Sequence, residues 1–190
     1  MRGLTIRAGL LAGLLTASHA AAQTKAPVNR LAPYVPSPQN VVEKMLEIAQ
    51  VKPHEVVFDL GSGDGRVLIA AAQMFAAKGV GIEISPKEVK TSREKIVRLK
   101  LDDRIKVIEG DLMQQDFSGA DVVTIYLLTG ANDQLKPILE KQLKPGSRVV
   151  SHDYPFRGWT PAKVEKVEAF KREHTLYLYQ MPPVKQEPRP

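Results

Sequence analysis

At 190 residues the chain is long enough for one domain with a sizeable core, and 43% hydrophobic with 25% charged residues is ordinary globular composition. Cysteine is absent, which excludes disulfides, thiolate catalysis and cysteine metal sites, and the four histidines show no ligand spacing, so no metal is expected. The net charge of +6 comes without a dense Lys/Arg block, so it favours acidic partners in general but gives no expectation of nucleic acid.

Residues 1–22 read as an export signal: Arg2 and Arg7 make a basic start, an apolar run follows, and Ala20-Ala21-Ala22 offers small residues for cleavage. An uncleaved anchor is the other reading. The apolar run is short for a bilayer span, so no stable membrane insertion is expected once the signal is removed, and the expected location is outside the cytoplasm, in the periplasm. Residues 23–36 are polar and Pro-containing, a linker or arm. Residues 37–181 form the predicted domain. Ser37 is a helix N-cap with Pro38 in the first turn, and Val41, Val42, Met45, Leu46 and Ala49 form one apolar stripe. Strand one covers 56–60, and its helix covers 67–77 with Gly79 as C-cap. Residues 80–84 read as a second strand. Ser85-Pro86-Lys87-Glu88 is a capping box opening a helix to about residue 101. Strands follow at 105–109, 121–127 and 148–152, with a helix over 132–143 that must place Pro137 in its first turns or kink there. Residues 163–170 and 175–180 read as strands with a turn between and no helix, hence an antiparallel hairpin. Residues 182–190, rich in proline, read as a disordered tail. The alternation predicts an α/β, Rossmann-like fold: a mostly parallel seven-stranded sheet, helices on both faces and a C-terminal hairpin.

The stretch Asp59-Leu60-Gly61-Ser62-Gly63-Asp64-Gly65-Arg66 carries the chemistry. It joins a strand to a helix through a glycine-rich turn, the arrangement that cradles nucleotide-like ligands. A dinucleotide fingerprint needs glycine at the sixth loop position, and that position is Arg66. Asp59 at the strand's end would repel a pyrophosphate but suits a ligand with positive charge. S-adenosylmethionine fits, with a cationic sulfonium and amino group and no phosphate. A tight turn without ligand is the plain alternative. Two further acids end neighbouring strands: Glu83, placed to accept hydrogen bonds from ribose hydroxyls, and Asp111. Ligands of open α/β sheets bind outside the carboxyl ends of strands, so three such acids reinforce one another.

On this motif the chain resembles the class I, seven-β-strand S-adenosylmethionine-dependent methyltransferases. Pro33-Tyr34-Val35-Pro36-Ser37-Pro38, Tyr126-Leu127-Leu128 and Phe156-Arg157-Gly158-Trp159 are similar to segments of a protein-lysine methyltransferase family whose members modify the ATP synthase c-subunit and the adenine nucleotide translocase. The resemblance implies cofactor contacts from Tyr34, Asp59, Gly61, Ser62, Gly63, Gly65, Glu83, Asp111, Leu112 and Tyr126. Asp111 would meet the adenine amino group, with Leu112 or Met113 on the ring. It also implies a protein lysine as acceptor; a small-molecule methyltransferase and a non-catalytic S-adenosylmethionine-binding module are the alternatives. A lysine must lose its proton before attack, and an apolar aromatic mouth would lower its pKa. Tyr126, Tyr154, Phe156 and Trp159 are candidates for that mouth. Tyr126 reads equally well as core. Asp153 and His152 are placed to orient an acceptor or take its proton, or are a satisfied loop pair. Tyr126, Asp153 and Trp159 are therefore the candidate catalytic residues. The oligomeric state is not readable.

Overall fold

The structure, a computed structural model, describes residues 34–186. The export-signal reading of 1–22 and most of the arm, 23–33, lie outside the described residues. Among the described residues, four α-helices, α1 (Gln39–Ile48), α2 (Arg66–Phe75), α3 (Pro86–Arg98) and α4 (Thr129–Gln142), accompany nine strands. These are β1 (Val56–Leu60), β2 (Lys78–Glu83), β3 (Ile105–Glu109), β4 (Val122–Ile125), β5 (Arg148–His152), β6 (Trp159–Thr160), β7 (Lys163–Ala169), β8 (Arg172–Gln180) and β9 (Val184–Lys185). Seven of them make one sheet in the order β3-β2-β1-β4-β5-β8-β7. The pairings from β3 to β5 are parallel, and β8 runs antiparallel to both β5 and β7. This is the predicted architecture.

Period-two burial explains the layers. On β1, β4 and β5 the residues Val57, Val122 and Val150 face α1 and α2, while Phe58, Leu60, Val123, Ile125 and Val149 face α4. Strands buried on both faces read as continuous apolar runs, as these do. Each core aliphatic contributes about 1.5–3 kcal/mol of burial. The order reverses between β1 and β4, and there the loops after both strands diverge to leave a crevice.

Several expectations are corrected at element ends. Gly79 is not a helix C-cap; it lies inside β2, paired with Val57, and the left-handed cap of α2 is Ala76 at φ 53°. Ser37 does not cap α1: Pro38 is the N-cap, and the Ser37 hydroxyl is engaged by His152 instead. Ser85 caps α3 by backbone position without a side-chain cap bond, so the predicted capping box is not formed. The hairpin turn falls at Phe170 and Lys171 because β8 begins at Arg172. Within the predicted tail, Val184–Lys185 pair with Trp159–Thr160 as a two-stranded ribbon, and residues 187–190 lie outside the described residues. No helix among the described residues is long and apolar enough to cross a membrane.

Candidate functional site

Above the carboxyl ends of β1, β2 and β4 lies a cleft of about 950 Å³ including its open mouth. Of the residues expected to contact the cofactor, Tyr34, Asp59, Gly61, Glu83, Asp111, Leu112 and Tyr126 line it. Ser62, Gly63 and Gly65 do not. A Cβ on Gly81 would lie 2.6 Å from Ser62 Oγ, so the serine packs against β2 rather than toward the cleft. Gly63, at φ 50°, lies under the arm: a Cβ there would come within 2.5 Å of the Tyr34 ring. Its glycine is needed for the close approach of Tyr34, not for ligand space directly. Gly65, at φ 78°, is the N-cap of α2 and packs toward Ser92. The loop therefore works indirectly, by turning tightly enough to seat the residues that do face the cleft.

Glu83 ties the loop to β2. Its carboxylate accepts hydrogen bonds from the Gly63 N–H at 3.0 Å and the Ser85 N–H at 2.8 Å, one on each oxygen, leaving lone pairs free toward the cleft. Asp59 is only 6% exposed, accepts one bond from Thr124 Oγ1 at 2.7 Å, and has no cationic partner among the described residues. Burial pushes its carboxyl up to about 7, with the neighbouring Glu83 and Asp64 charges adding to the rise. A buried acid held this way gains most from a ligand that brings positive charge. Asp64 is the opposite case. Burial would raise it, but hydrogen bonds and charge from Arg66 and Lys95 hold it down at about 2. Arg66 Nε and Lys95 Nζ stand 2.9 and 2.8 Å from its two oxygens. Arg66 Nη1 also donates to the Ser37 carbonyl at 2.7 Å, so the ion cluster clamps the arm that carries Tyr34 over the loop. This role of Asp64, Arg66 and Lys95 is not readable from the sequence, because Lys95 stands on α3 and only the fold brings it back.

A second group adjoins the cleft at the ends of β4, β5 and β8. The Tyr126 ring stacks on His152 at 3.8 Å, and its hydroxyl stands 3.3 Å from Asp153 Oδ2. His152 is fully buried between Ser37 Oγ at 2.9 Å and His174 Nδ1 at 2.8 Å. Burial lowers its pKa to about 4, against the pull of Asp153, so it is neutral at physiological pH. Asp153, in left-handed backbone at φ 60°, accepts from the Thr175 N–H at 3.0 Å and from Arg172 Nη2 at 2.6 Å. Burial opposes ionisation of Asp153, but the Thr175 N–H and the surrounding positive charge lower its pKa below the usual value. Two of the histidines, which show no ligand spacing in the sequence, are thus brought together by the fold. His152, Asp153 and His174 bring ligand-capable atoms within 4.8 Å of one another, and the bonds to Ser37, Thr175 and Arg172 show each group already used in a hydrogen-bonded network.

Trp159 and Phe156 leave the predicted mouth. Both are 1% exposed and stack on each other at 4.5 Å, edge-on to Tyr179. The indole N–H of Trp159 donates to Glu140 at 2.7 Å, and β9 covers this corner, with Lys185 also bonded to Glu140. Trp159 is core because its one polar atom finds a carboxylate partner in Glu140 and its rings find others. Tyr126 lines the cleft, and the Tyr154 ring lies 6.2 Å from it, with the Tyr154 carbonyl held by Asn132 Nδ2 at 2.8 Å.

The acid-lined cleft, with one buried carboxylate lacking a cation and another presenting free lone pairs, fits a cationic ligand with a ribose. Comparison with known proteins gives the same direction. Residues 59–163 match the family described as the ANTKMT methyltransferase domain. A protein-lysine N-methyltransferase of Saccharolobus islandicus is 48% identical over 148 residues, covering 77% of this chain and 92% of its own length. The human lysine N-methyltransferase of the ATP synthase c-subunit is 34% identical over 160 residues, covering 82% of this chain and 67% of its own. Among solved structures, an RNA methyltransferase from Salinibacter ruber in complex with S-adenosyl-L-homocysteine superposes with a TM-score of 0.74 at 43% identity, covering 82% of this chain and 98% of its own.

Proposed function

Because this chain belongs to the ANTKMT family of S-adenosylmethionine-dependent methyltransferases, we propose that it methylates the side-chain amine of protein lysines. One observation carries the cofactor half of the reading: buried Asp59, held near 7 without a cation, beside Glu83 at the switch point of the sheet. When bound, S-adenosylmethionine supplies an electrophilic methyl on a sulfonium. Asp59 would balance the positive charge of its methionine part, Glu83 would accept from its ribose, Asp111 and Leu112 would hold the adenine, and Tyr34 lies over the loop. Methyl transfer from a sulfonium is an in-line displacement, so the protein's task is positioning and exclusion of water. The ring and hydroxyl of Tyr126, between the cleft and Asp153, place it to receive the acceptor nitrogen. Asp153 orients the nitrogen as an ammonium, which releases its proton to solvent before the neutral amine attacks the methyl and S-adenosylhomocysteine leaves.

The named acceptors of the two lysine-methylating relatives favour protein; the name of the Salinibacter neighbour favours RNA as a second acceptor class. Calorimetric titration with S-adenosylmethionine and S-adenosylhomocysteine tests the cofactor, and the absence of binding by residues 23–190 would sink every methyltransferase reading. Binding without transfer to proteins or RNA would leave a binding module. We further propose export, on the basic start and apolar run of residues 1–22; cell fractionation tests it.

A further inference from the structure

Arg172 occupies a position that a surface ion pair does not explain. It begins β8 at the tip of the β7–β8 hairpin, where Phe170 at φ 48° and Lys171 at φ 59° form two successive left-handed residues. A two-residue hairpin turn of this kind is ordinarily built from asparagine or glycine. Here it is built from bulky side chains, with Phe170 88% exposed, so the tip holds an unfavourable conformation that delivers Arg172 inward. The side chain of Arg172 is 56% exposed and that of Asp153 is 11% exposed, so the guanidinium enters from solvent and covers a recessed carboxylate.

Around that carboxylate the chain assembles the parts of an ammonium cup. Asp153 Oδ1 is fixed by the Thr175 N–H, and Oδ2 is directed at the guanidinium, with the Tyr126 hydroxyl at 3.3 Å. His152 Nε2 and His174 Nδ1 lie 3.5 and 3.4 Å from the same oxygen and close the cup from below. The Tyr126 and Tyr154 rings form its wall, and Tyr126 is also a wall of the cofactor cleft. Tyr126 therefore adjoins both the cofactor cleft and the cup, so a cation bound at Asp153 stands next to the cleft.

We propose that Asp153, Tyr126 and Tyr154 form the subsite for the acceptor's alkylammonium group, and that Arg172 is an internal cation that fills it until a lysine displaces it. The inference rests on the lysine-methyltransferase reading and adds to it a site and a built-in competitor. The subsite sorts acceptors by charge: a cationic side chain exchanges for the guanidinium with the carboxylate still paired, whereas a neutral or anionic group leaves Asp153 or Arg172 without its partner.

The test uses the full chain saturated with S-adenosylhomocysteine and titrated with n-butylammonium chloride, followed through the amide signals of Asp153 and Thr175. Prior calorimetry with S-adenosylhomocysteine separates the two readings: loss of that binding in the parent protein defeats the methyltransferase proposal itself, not this one alone. With cofactor binding intact, R172Q should bind n-butylammonium roughly two- to five-fold more tightly, the range set by releasing an exposed ion pair. R172K keeps a cation in the cup and should bind as the parent does. K171Q, which removes a neighbouring charge outside the cup, should also match the parent. D153N should lose the binding, and this comparison with the parent decides the matter even if R172Q does not fold. Equal or weaker binding in R172Q would make Arg172 a structural ion pair. A gain shared by K171Q would reduce the effect to general charge. Retention of binding in D153N would overturn the subsite.

Discussion

The cofactor side and the acceptor side of the cleft are built on different principles. On the cofactor side the important groups lie close in sequence: Asp59, the glycine turn and Glu83 fall within 25 residues, and backbone amides do most of the binding between them. On the acceptor side Ser37 reaches His152 across 115 positions, and His152 reaches His174 across 22, through side chains alone. The first is a local motif whose shape follows from glycine and strand order. The second exists only when β4, β5 and β8 are assembled. The cofactor side also keeps one acid, Asp59, without a cation, while the acceptor side matches its acid with Arg172. A site that awaits a fixed cationic cofactor and one that exchanges cations among acceptors need not be balanced in the same way.

Substitutions on the two sides should separate in their effects. The largest is Gly63→Val, which puts a β-branched residue at φ 50° and against Tyr34. It should cost about 3–5 kcal/mol of cofactor binding, enough to remove the calorimetric signal. Asp59→Asn should act in two directions. The folded carboxyl is raised to about 7 from 3.8, so the folded state keeps a proton that the unfolded chain releases, and stability falls as pH rises from about 4 to 7. The variant should therefore stabilise the free protein at pH 8 by roughly 2–4 kcal/mol while weakening S-adenosylmethionine binding. Thermal melts across that pH range, with and without ligand, read both effects. Glu83→Ala should weaken cofactor binding by roughly 1–3 kcal/mol, because a charged acceptor is lost and two amides lose their partner; unchanged affinity would take Glu83 out of the site. Ser37→Ala should be smallest, about 0.5–1.5 kcal/mol for one hydrogen bond. It should lower the methyl-transfer rate more than the affinity for S-adenosylhomocysteine. If it changes only affinity, Ser37 serves the arm and not the acceptor side.

The same contrast explains what the sequence discloses. The order of strands and the hairpin are legible because two-sided burial writes itself as apolar runs, and Asp59, Glu83 and Asp111 are legible because each ends one of those runs. Gly63 is legible as necessary but not for its reason, since only the fold lays Tyr34 across it. Trp159 illustrates the converse. A lone tryptophan between glycine and proline looks like a mouth residue, yet β9 folds back from 25 positions away and Glu140 supplies its hydrogen bond, and neither partner is marked in sequence. His174 and Arg172 sit in what reads as a turn; moving the turn to Phe170 and Lys171 puts both on β8 and completes the acceptor side.

The central claim is transfer of a methyl group from S-adenosylmethionine to protein lysine. The most direct measurement incubates purified residues 23–190 with methyl-labelled S-adenosylmethionine and lysate from cells lacking this protein. The label is then located after separate ribonuclease and protease digestion. Transfer to lysine predicts label that survives ribonuclease, is recovered as methyl-lysine and is absent with Gly63→Val. Label released by ribonuclease, or no transfer while S-adenosylhomocysteine still binds, would contradict it.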